Sequence, residues 1–321
     1  MLPVLEVSGL TTVFQTRSGL VRAVQDVSFS VNPGETLAIV GESGCGKTMT
    51  ALSLMRLIPS PPGRITGGTV KLDGIDLLAL DDAGMRRMRG SQIAMIFQEP
   101  MTALNPLFTV GRQIAEMISL HEGISRRSAN SRAVEMLQHV RIPAPERRAR
   151  EYPHQMSGGM RQRAMIAMAL ACKPKVLIAD EPTTALDVTI QAQVLDLIDD
   201  LRKELGTAVV LITHDLGVVA EVADRMIVMY AGRKVEEGTT QNLFAAPSHP
   251  YLQGLMASIP KFGAQEGARL KEIPGIVPPL NNLPPGCAFA PRCPAAIGPC
   301  TETRPPLEMK RQGHAAACWV A

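Results

Sequence analysis

The first forty residues alternate short apolar runs with polar breaks. The runs are Leu5 to Leu10, Val21 to Val24, Val27 to Val31 and, after a Pro33-Gly34 turn, Thr36 to Val40. Such runs predict an antiparallel β-layer feeding a buried strand at 36–40. Met49 to Ile58 is apolar, rich in helix formers and free of Gly and Pro, which predicts a helix. Pro59 to Gly68 reads as a loop, and Thr69 to Leu77 as a hairpin around Asp73-Gly74. Ile93 to Phe97 reads as a buried strand ending at Gln98. Between residue 99 and about residue 160 the pattern turns helical: Gly111 to His121, then Ser128 to Val140 with Ala133, Val134, Met136, Leu137 and Val140 on one face. A further helix covers Ala164 to Ala171. Lys175 to Ala179 is an apolar strand closing on Asp180-Glu181. Thr189 to Leu205 carries Ile190, Val194, Leu197, Ile198, Leu201 and Leu205 on one helical face. Ala208 to Thr213 is another buried strand, ending at His214. Met226 to Tyr230 and Lys234 to Glu236 form a last hairpin around Ala231-Gly232. Past residue 240 strong strands disappear and thirteen of the 25 prolines collect, so an extension follows the core.

The loop between the strand at 36–40 and its helix is Gly41-Glu42-Ser43-Gly44-Cys45-Gly46-Lys47-Thr48, which fits G-x-x-x-x-G-K-[ST]. Its glycines let the backbone curl so that amides point at phosphate oxygens. The helix N-terminus adds partial positive charge there. Lys47 supplies a cation for the β- and γ-phosphates, and Thr48 a hydroxyl for Mg²⁺. Phe14, upstream, reads either as a ring stacked on a nucleotide base or as a core strand residue.

Polar residues then fall at three strand ends: Gln98, the Asp180-Glu181 pair and His214. Each alone would be ordinary strand-end solvation. In parallel α/β sheets, however, the carboxyl ends of strands line the ligand crevice. Alternation along a strand lets Asp180 and Glu181 take different tasks, one toward a metal shell and one toward water. Met156-Ser157-Gly158-Gly159 opens the helix before them and makes a second anion-binding helix end.

Composition narrows the class. The chain has 321 residues, 45% of them hydrophobic and 20% charged, enough for a sizeable core. The formal net charge of +3 gives no reason to expect a nucleic-acid partner, and Arg147, Arg148 and Arg150 read as a solvated face. Residues 1–7 lack the pattern of a secretory signal, and no apolar run approaches the ~18 residues that span a bilayer. A soluble, cytosolic chain is expected, able to dock on a membrane protein.

The order P-loop, Gln98, Ser157-Gly158-Gly159, Asp180-Glu181, Asp187 and His214 resembles the ATP-binding-cassette ATPases over residues 4–240. Phe97 to Pro106 and Ala179 to Thr189 look like the oligopeptide/dipeptide importer branch. So does the tail, with His249-Pro250-Tyr251, Pro274-Gly275 and Cys-x₄-Arg-Cys-Pro. Met156 and Met160 depart from the widest signature pattern, and Cys45 from a common serine, without removing the serine hydroxyl or the amides. The fold implied is α/β: a P-loop (RecA-like) core with an antiparallel β-layer and a helical subdomain at about 99–160, plus a small irregular cysteine-containing C-terminal extension. The division expected is 1–240 for the nucleotide-binding domain and 241–321 for the tail. By resemblance, two cassettes pair head to tail, the second a copy or a relative of this chain. Residues 41–49 (Gly41, Glu42, Ser43, Gly44, Cys45, Gly46, Lys47, Thr48 and Met49) and Phe14 would hold ATP. Thr48, Gln98 and Asp180 would serve Mg²⁺, and Asp187 the D-loop. Glu181 would polarise the attacking water, and His214 would contact the γ-phosphate. Ser157, Gly158, Gly159 and Gln162 would reach the partner's nucleotide. Two transmembrane permease subunits and an extracytoplasmic solute-binding protein complete the implied assembly, on the cytoplasmic face of the inner membrane.

Two other classes compete. A soluble cassette ATPase of DNA repair needs a long coiled-coil insertion that residues 99–156 do not contain, and one of translation usually carries two cassettes where this chain has one P-loop. A nucleotide-binding regulator without turnover would have no need of Glu181 and His214. Cargo is not legible: dipeptides, longer peptides, nickel chelates and opines are all handled by relatives.

Four of the six cysteines crowd the last 35 residues, at Cys287, Cys293, Cys300 and Cys318. In a reducing compartment such a cluster reads as a metal site before a disulfide frame. Four thiolates suit zinc or an iron–sulfur cluster, and the spacings of five and six residues exceed the usual C-x₂₋₄-C of zinc. The peptide-importer resemblance implies a [4Fe–4S] centre. Four small buried residues without metal remain the alternative.

Overall fold

The computed structural model describes residues 2–99, 103–183, 188–259 and 272–321. Its strands are β1 (Leu5–Thr16), β2 (Gly19–Val31), β3 (Thr36–Val40), β4 (Gly63–Leu72), β5 (Ile75–Asp76), β6 (Ile93–Ile96), β7 (Val176–Asp180), β8 (Ala208–Ile212), β9 (Arg225–Tyr230), β10 (Arg233–Thr239), β11 (Glu308–Arg311) and β12 (His314–Ala316). Its helices are α1 (Lys47–Leu54), α2 (Asp82–Met88), α3 (Val110–Glu122), α4 (Arg126–His139), α5 (Pro145–Arg148), α6 (Gly158–Leu170), α7 (Val188–Leu205), α8 (Leu216–Val222), α9 (Thr240–Ala245), α10 (Pro250–Ala257) and α11 (Gly298–Glu302). The chain divides into two compact units.

One unit takes residues 1–5, 31–35 and 71–212. Its strands β6, β7 and β8 run parallel, with Ile93 opposite Val176 and Val176 opposite Ala208. All three are buried along their whole length, as parallel strands covered on both faces must be. Around them lie the expected helices. Ser125 caps α4 by accepting from Ser128 N–H, and Ser157 caps α6 by accepting from Met160 N–H. Ile114, Ile118, Ala133 and Leu137 give α3 and α4 their buried faces.

The other unit takes residues 6–30, 36–70 and 213–321. It contains the antiparallel layer in the order β2-β1-β4, and a second sheet in the order β11-β12-β10-β9-β3. β3 and β9 are parallel, from Leu37 opposite Arg225 to Val40 opposite Val228. The remaining pairs of that sheet are antiparallel. Val40, Val228, Tyr230, Tyr251 and Phe289 belong to one buried cluster, so the tail packs into the core that backs the P-loop strand.

The fold is therefore of the α/β P-loop class, with the antiparallel layer and helical part the sequence implied. Two stretches differ from their sequence patterns. β4 starts at Gly63, inside the expected loop, because the backbone of Gly68 approaches that of Gly9 and Leu10 too closely for any Cβ. The tail also contributes strands: β12 pairs with β10, Glu236 facing Ala316. A buried hydrogen bond of 2.6 Å between His314 Nε2 and Glu236 Oε1 pins that register.

Candidate functional site

In the second unit β3 delivers the chain into the glycine loop and α1 receives it. Gly41, Gly44 and Gly46 have φ of 151°, 77° and 104°. A Cβ on Gly46 would lie 2.4 Å from the Ala23 carbonyl oxygen, and one on Gly41 would lie 2.3 Å from that of Met229. The loop is thus both left-handed and crowded from behind, and only glycine fits at these two positions. Ser43 and Gly44 at its tip are exposed. Gly46, the N-cap of α1, offers no side-chain cap, and the first turn holds no acid. Such a helix end is suited to an anion.

Lys47 is buried along its stem, and its Nζ donates to the Gly41 and Glu42 carbonyls at 2.7 and 3.1 Å. Cys45 is buried beneath it, and desolvation pushes its thiol up although the nearby ammonium pulls the other way. Thr48 and Met49 are half-buried on the first turn. Phe14 is half-buried on β1, between the two roles its position suggested. His214 is exposed just past β8, before α8, whose N-terminus Asp215 caps.

The first unit places the other strand ends. Pairing of Ile96 with Ala179 brings position 98 level with position 181. Gln98 Nε2 accordingly donates to Glu181 Oε2 at 3.1 Å. Glu181 has φ 45°, a left-handed conformation that costs a non-glycine residue about 1 kcal/mol or more. The backbone holds it there through Glu181 N–H donating to the Ile212 carbonyl at 2.9 Å. Asp180, one residue earlier, is 2% exposed. The two neighbouring acids therefore occupy different surroundings, as strand alternation requires.

Ser157 and Gly158 are exposed at the start of α6, and added Cβ atoms meet nothing near Gly158. Gln162 is buried and donates its amide to the Pro182 carbonyl, so it is engaged inside its own unit. Asp187 lies outside the described residues.

The oxygen donors Thr48, Gln98 and Asp180 fit Mg²⁺ by type, since hard cations take hydroxyl, amide and carboxylate oxygen. With its amide nitrogen turned to Glu181, Gln98 keeps its oxygen for a cation. The expected iron–sulfur ligands do not fit in the same way. No three His, Cys, Asp or Glu side chains among the described residues converge as ligands of a metal would. Cys287, Cys293, Cys300 and Cys318 are free thiols, and the Cys287 N–H donates to the Cys300 carbonyl at 2.8 Å. Burial pushes the Cys287, Cys293 and Cys318 thiols up.

Sequence reasoning missed Tyr251 and Arg292. Tyr251 Oη accepts from Glu42 N–H at 2.7 Å, and Arg292 forks onto the Glu42 carboxylate at 2.7 and 2.9 Å. The signals were the tail motifs His249-Pro250-Tyr251 and Cys-x₄-Arg-Cys-Pro, neither of which points to Glu42.

A P-loop on an α/β core, with a glutamine and a carboxylate paired at strand ends, defines a P-loop ATPase. The ABC transporter family model matches residues 24–184, and the model for the oligopeptide/dipeptide transporter C-terminal region matches residues 235–300. The chain belongs to the ABC transporter family, and it is an ABC-type ATPase carrying the oligopeptide/dipeptide C-terminal region. It is 58% identical over 98% of its length, and 94% of the relative's, to the "Probable peptide ABC transporter ATP-binding protein y4tR" of Sinorhizobium fredii. It is 50% identical over 100% of its length, and 97% of the relative's, to the oligopeptide transport ATP-binding protein AppD of Bacillus subtilis. Among solved structures it resembles the ATP-binding cassette MJ0796, a dimer in a post-hydrolysis state bound to ADP and Pi. The TM-score is 0.66 and the identity 29%, over 74% of this chain and 98% of that one.

Proposed function

We propose that the chain is the ATP-hydrolysing subunit of a membrane importer for di- or oligopeptides. The observation that carries the cargo is the oligopeptide/dipeptide C-terminal region at residues 235–300, in line with the names of its relatives. No described helix is long and apolar enough to cross a membrane, so two permease subunits would form the channel, and this chain would sit against their cytoplasmic side. An extracytoplasmic solute-binding protein would bring the peptide.

In this reading the amides from Ser43 to Thr48 and the Lys47 ammonium hold the phosphates. Phe14 stacks on the base. Thr48 and Gln98 would ligate Mg²⁺, with Asp180 supporting it through water, and the ion would neutralise phosphate charge. Glu181 takes the proton of the attacking water, and Gln98 orients its carboxylate through the bond already formed. His214 donates to the γ-phosphate. Ser157 and Gly158, standing exposed, and Gly159 beside them serve the nucleotide of a second cassette, while Gln162 supports their helix from inside. Asp187 lies where two cassettes meet. The division of labour is positioning and charge stabilisation. The tail cysteines have no part in it, because the arrangement of their thiols does not support the implied cluster.

Expression of the chain with its neighbouring permease genes tests the function. Membranes should retain it with two integral partners, and proteoliposomes with a matched binding protein should accumulate labelled peptides when ATP is inside. Recovery without integral partners, or uptake of nickel chelates but not peptides, would count against it.

A further inference from the structure

Glu42 is the second residue of the P-loop and every polar group it has is occupied. Its carbonyl accepts from Lys47 Nζ at 3.1 Å and from Cys45 N–H at 3.3 Å, inside the loop. Its N–H and its carboxylate are both held from the C-terminal region. Tyr251 Oη takes the N–H at 2.7 Å. Arg292 takes both carboxylate oxygens.

Arg292 is built for this position. Its side chain is 4% exposed. Nε donates to the Pro274 carbonyl at 2.9 Å, Nη1 reaches Tyr230 Oη at 3.4 Å, and Nη2 reaches the Ile273 carbonyl at 3.4 Å. With the two bonds to Glu42, the fork meets five acceptors, which matches its five N–H groups. Lysine can match neither the number nor the plane. Tyr251, Tyr230 and Phe289 are buried and pack edge-on or tilted at ring separations of 4.7 to 5.3 Å.

A surface staple would need none of this. Here the tail grips the residue whose carbonyl holds the P-loop lysine, 250 positions away in sequence. We infer that Arg292 and Tyr251 are positioning residues of the nucleotide site. They fix Glu42, and through its carbonyl they set the place from which Lys47 meets a phosphate. The C-terminal region is thereby part of the ATP-binding apparatus as well as an appendage to it. The inference rests on the proposed role of Lys47 in holding ATP.

The test is MgATP binding to the full-length chain by calorimetry, with melting temperature measured on the same samples. Tyr251→Phe removes one acceptor and keeps the ring. Arg292→Lys keeps the charge and loses the fork. Phe289→Leu disturbs the same aromatic cluster without touching Glu42. The expected result is an ATP Kd raised about tenfold in Arg292→Lys and about fivefold in Tyr251→Phe, the range for lost charged and neutral hydrogen bonds. Phe289→Leu should stay within about twofold while melting earlier. If Arg292→Lys does not fold, Tyr251→Phe decides alone. An unchanged Kd in Tyr251→Phe, or an equal loss in Phe289→Leu, would overturn the inference. Lys47→Ala separates the premise. If it binds ATP as the parent does, the reading of the P-loop fails; if it loses ATP while Tyr251→Phe does not, only this inference fails.

Discussion

Acid should loosen the C-terminal region through one histidine. His249 is 1% exposed. Its Nδ1 accepts from Tyr251 N–H at 3.0 Å and caps α10, so that nitrogen is unprotonated in the fold. Nε2 is buried without a partner among the described residues. Burial lowers the pKa from 6.5 to about 4. The folded value lies below the unfolded one, so between them the unfolded chain binds more protons and stability rises with pH. No stability is lost above about pH 6.5; the loss grows as pH falls and is complete below about 4. For a single site, moving from pH 7 to pH 5 costs about 2 kcal/mol. Urea melts at the two pH values measure this, against His249→Asn, whose side-chain oxygen can still cap α10 but does not titrate. The parent should lose about 2 kcal/mol more than the variant over that interval. The buried Glu236 carboxyl, whose pKa burial raises, shifts stability in the opposite sense but is common to both proteins and cancels. Equal pH dependence in the two would refute the reasoning. Because α10 carries Tyr251, ATP affinity should weaken over the same interval in the parent.

Further predictions concern the loop and its docking. Gly46→Ala should abolish measurable ATP binding, since its Cβ would press on the Ala23 carbonyl oxygen. Gly44→Ala, left-handed but unobstructed, should cost only about 1 kcal/mol of folding stability, read in urea melts. Cys45→Ser should bind ATP within about threefold of the parent, as the backbone does the cradling. In the parent Cys45 should resist iodoacetamide at neutral pH, being buried with its thiol pushed up. Leu107, 77% exposed in the segment after Gln98, should crosslink to a permease subunit when replaced by cysteine; crosslinks confined to the proline-rich tail would contradict that docking.

The parts legible in the sequence are those written locally. A strand, a glycine loop and a helix lie within some twenty residues, and three strand ends announce themselves by apolar runs that stop at Gln98, Glu181 and His214. What escaped is written across distance. β12 is an alanine-rich stretch that becomes a strand by pairing with β10 on one side and β11 on the other. Arg292 looked like part of a cysteine motif, yet its partner is Glu42. Gln162 sat in the exposed signature by sequence, but helical spacing turns it inward to Pro182. The cysteines were legible as a cluster in the chain, but the described residues hold no group of three ligand side chains arranged as a metal site.

In the proposed mechanism the strand-end carboxylate drives hydrolysis at a site completed by a second cassette. Phosphate release by the assembled importer, with Glu181→Gln in this chain, tests it most directly. The variant should keep ATP affinity but hydrolyse about a hundredfold more slowly or worse, because Gln98 is left facing an amide that cannot take a proton. Turnover at the parent rate in that complex would contradict it.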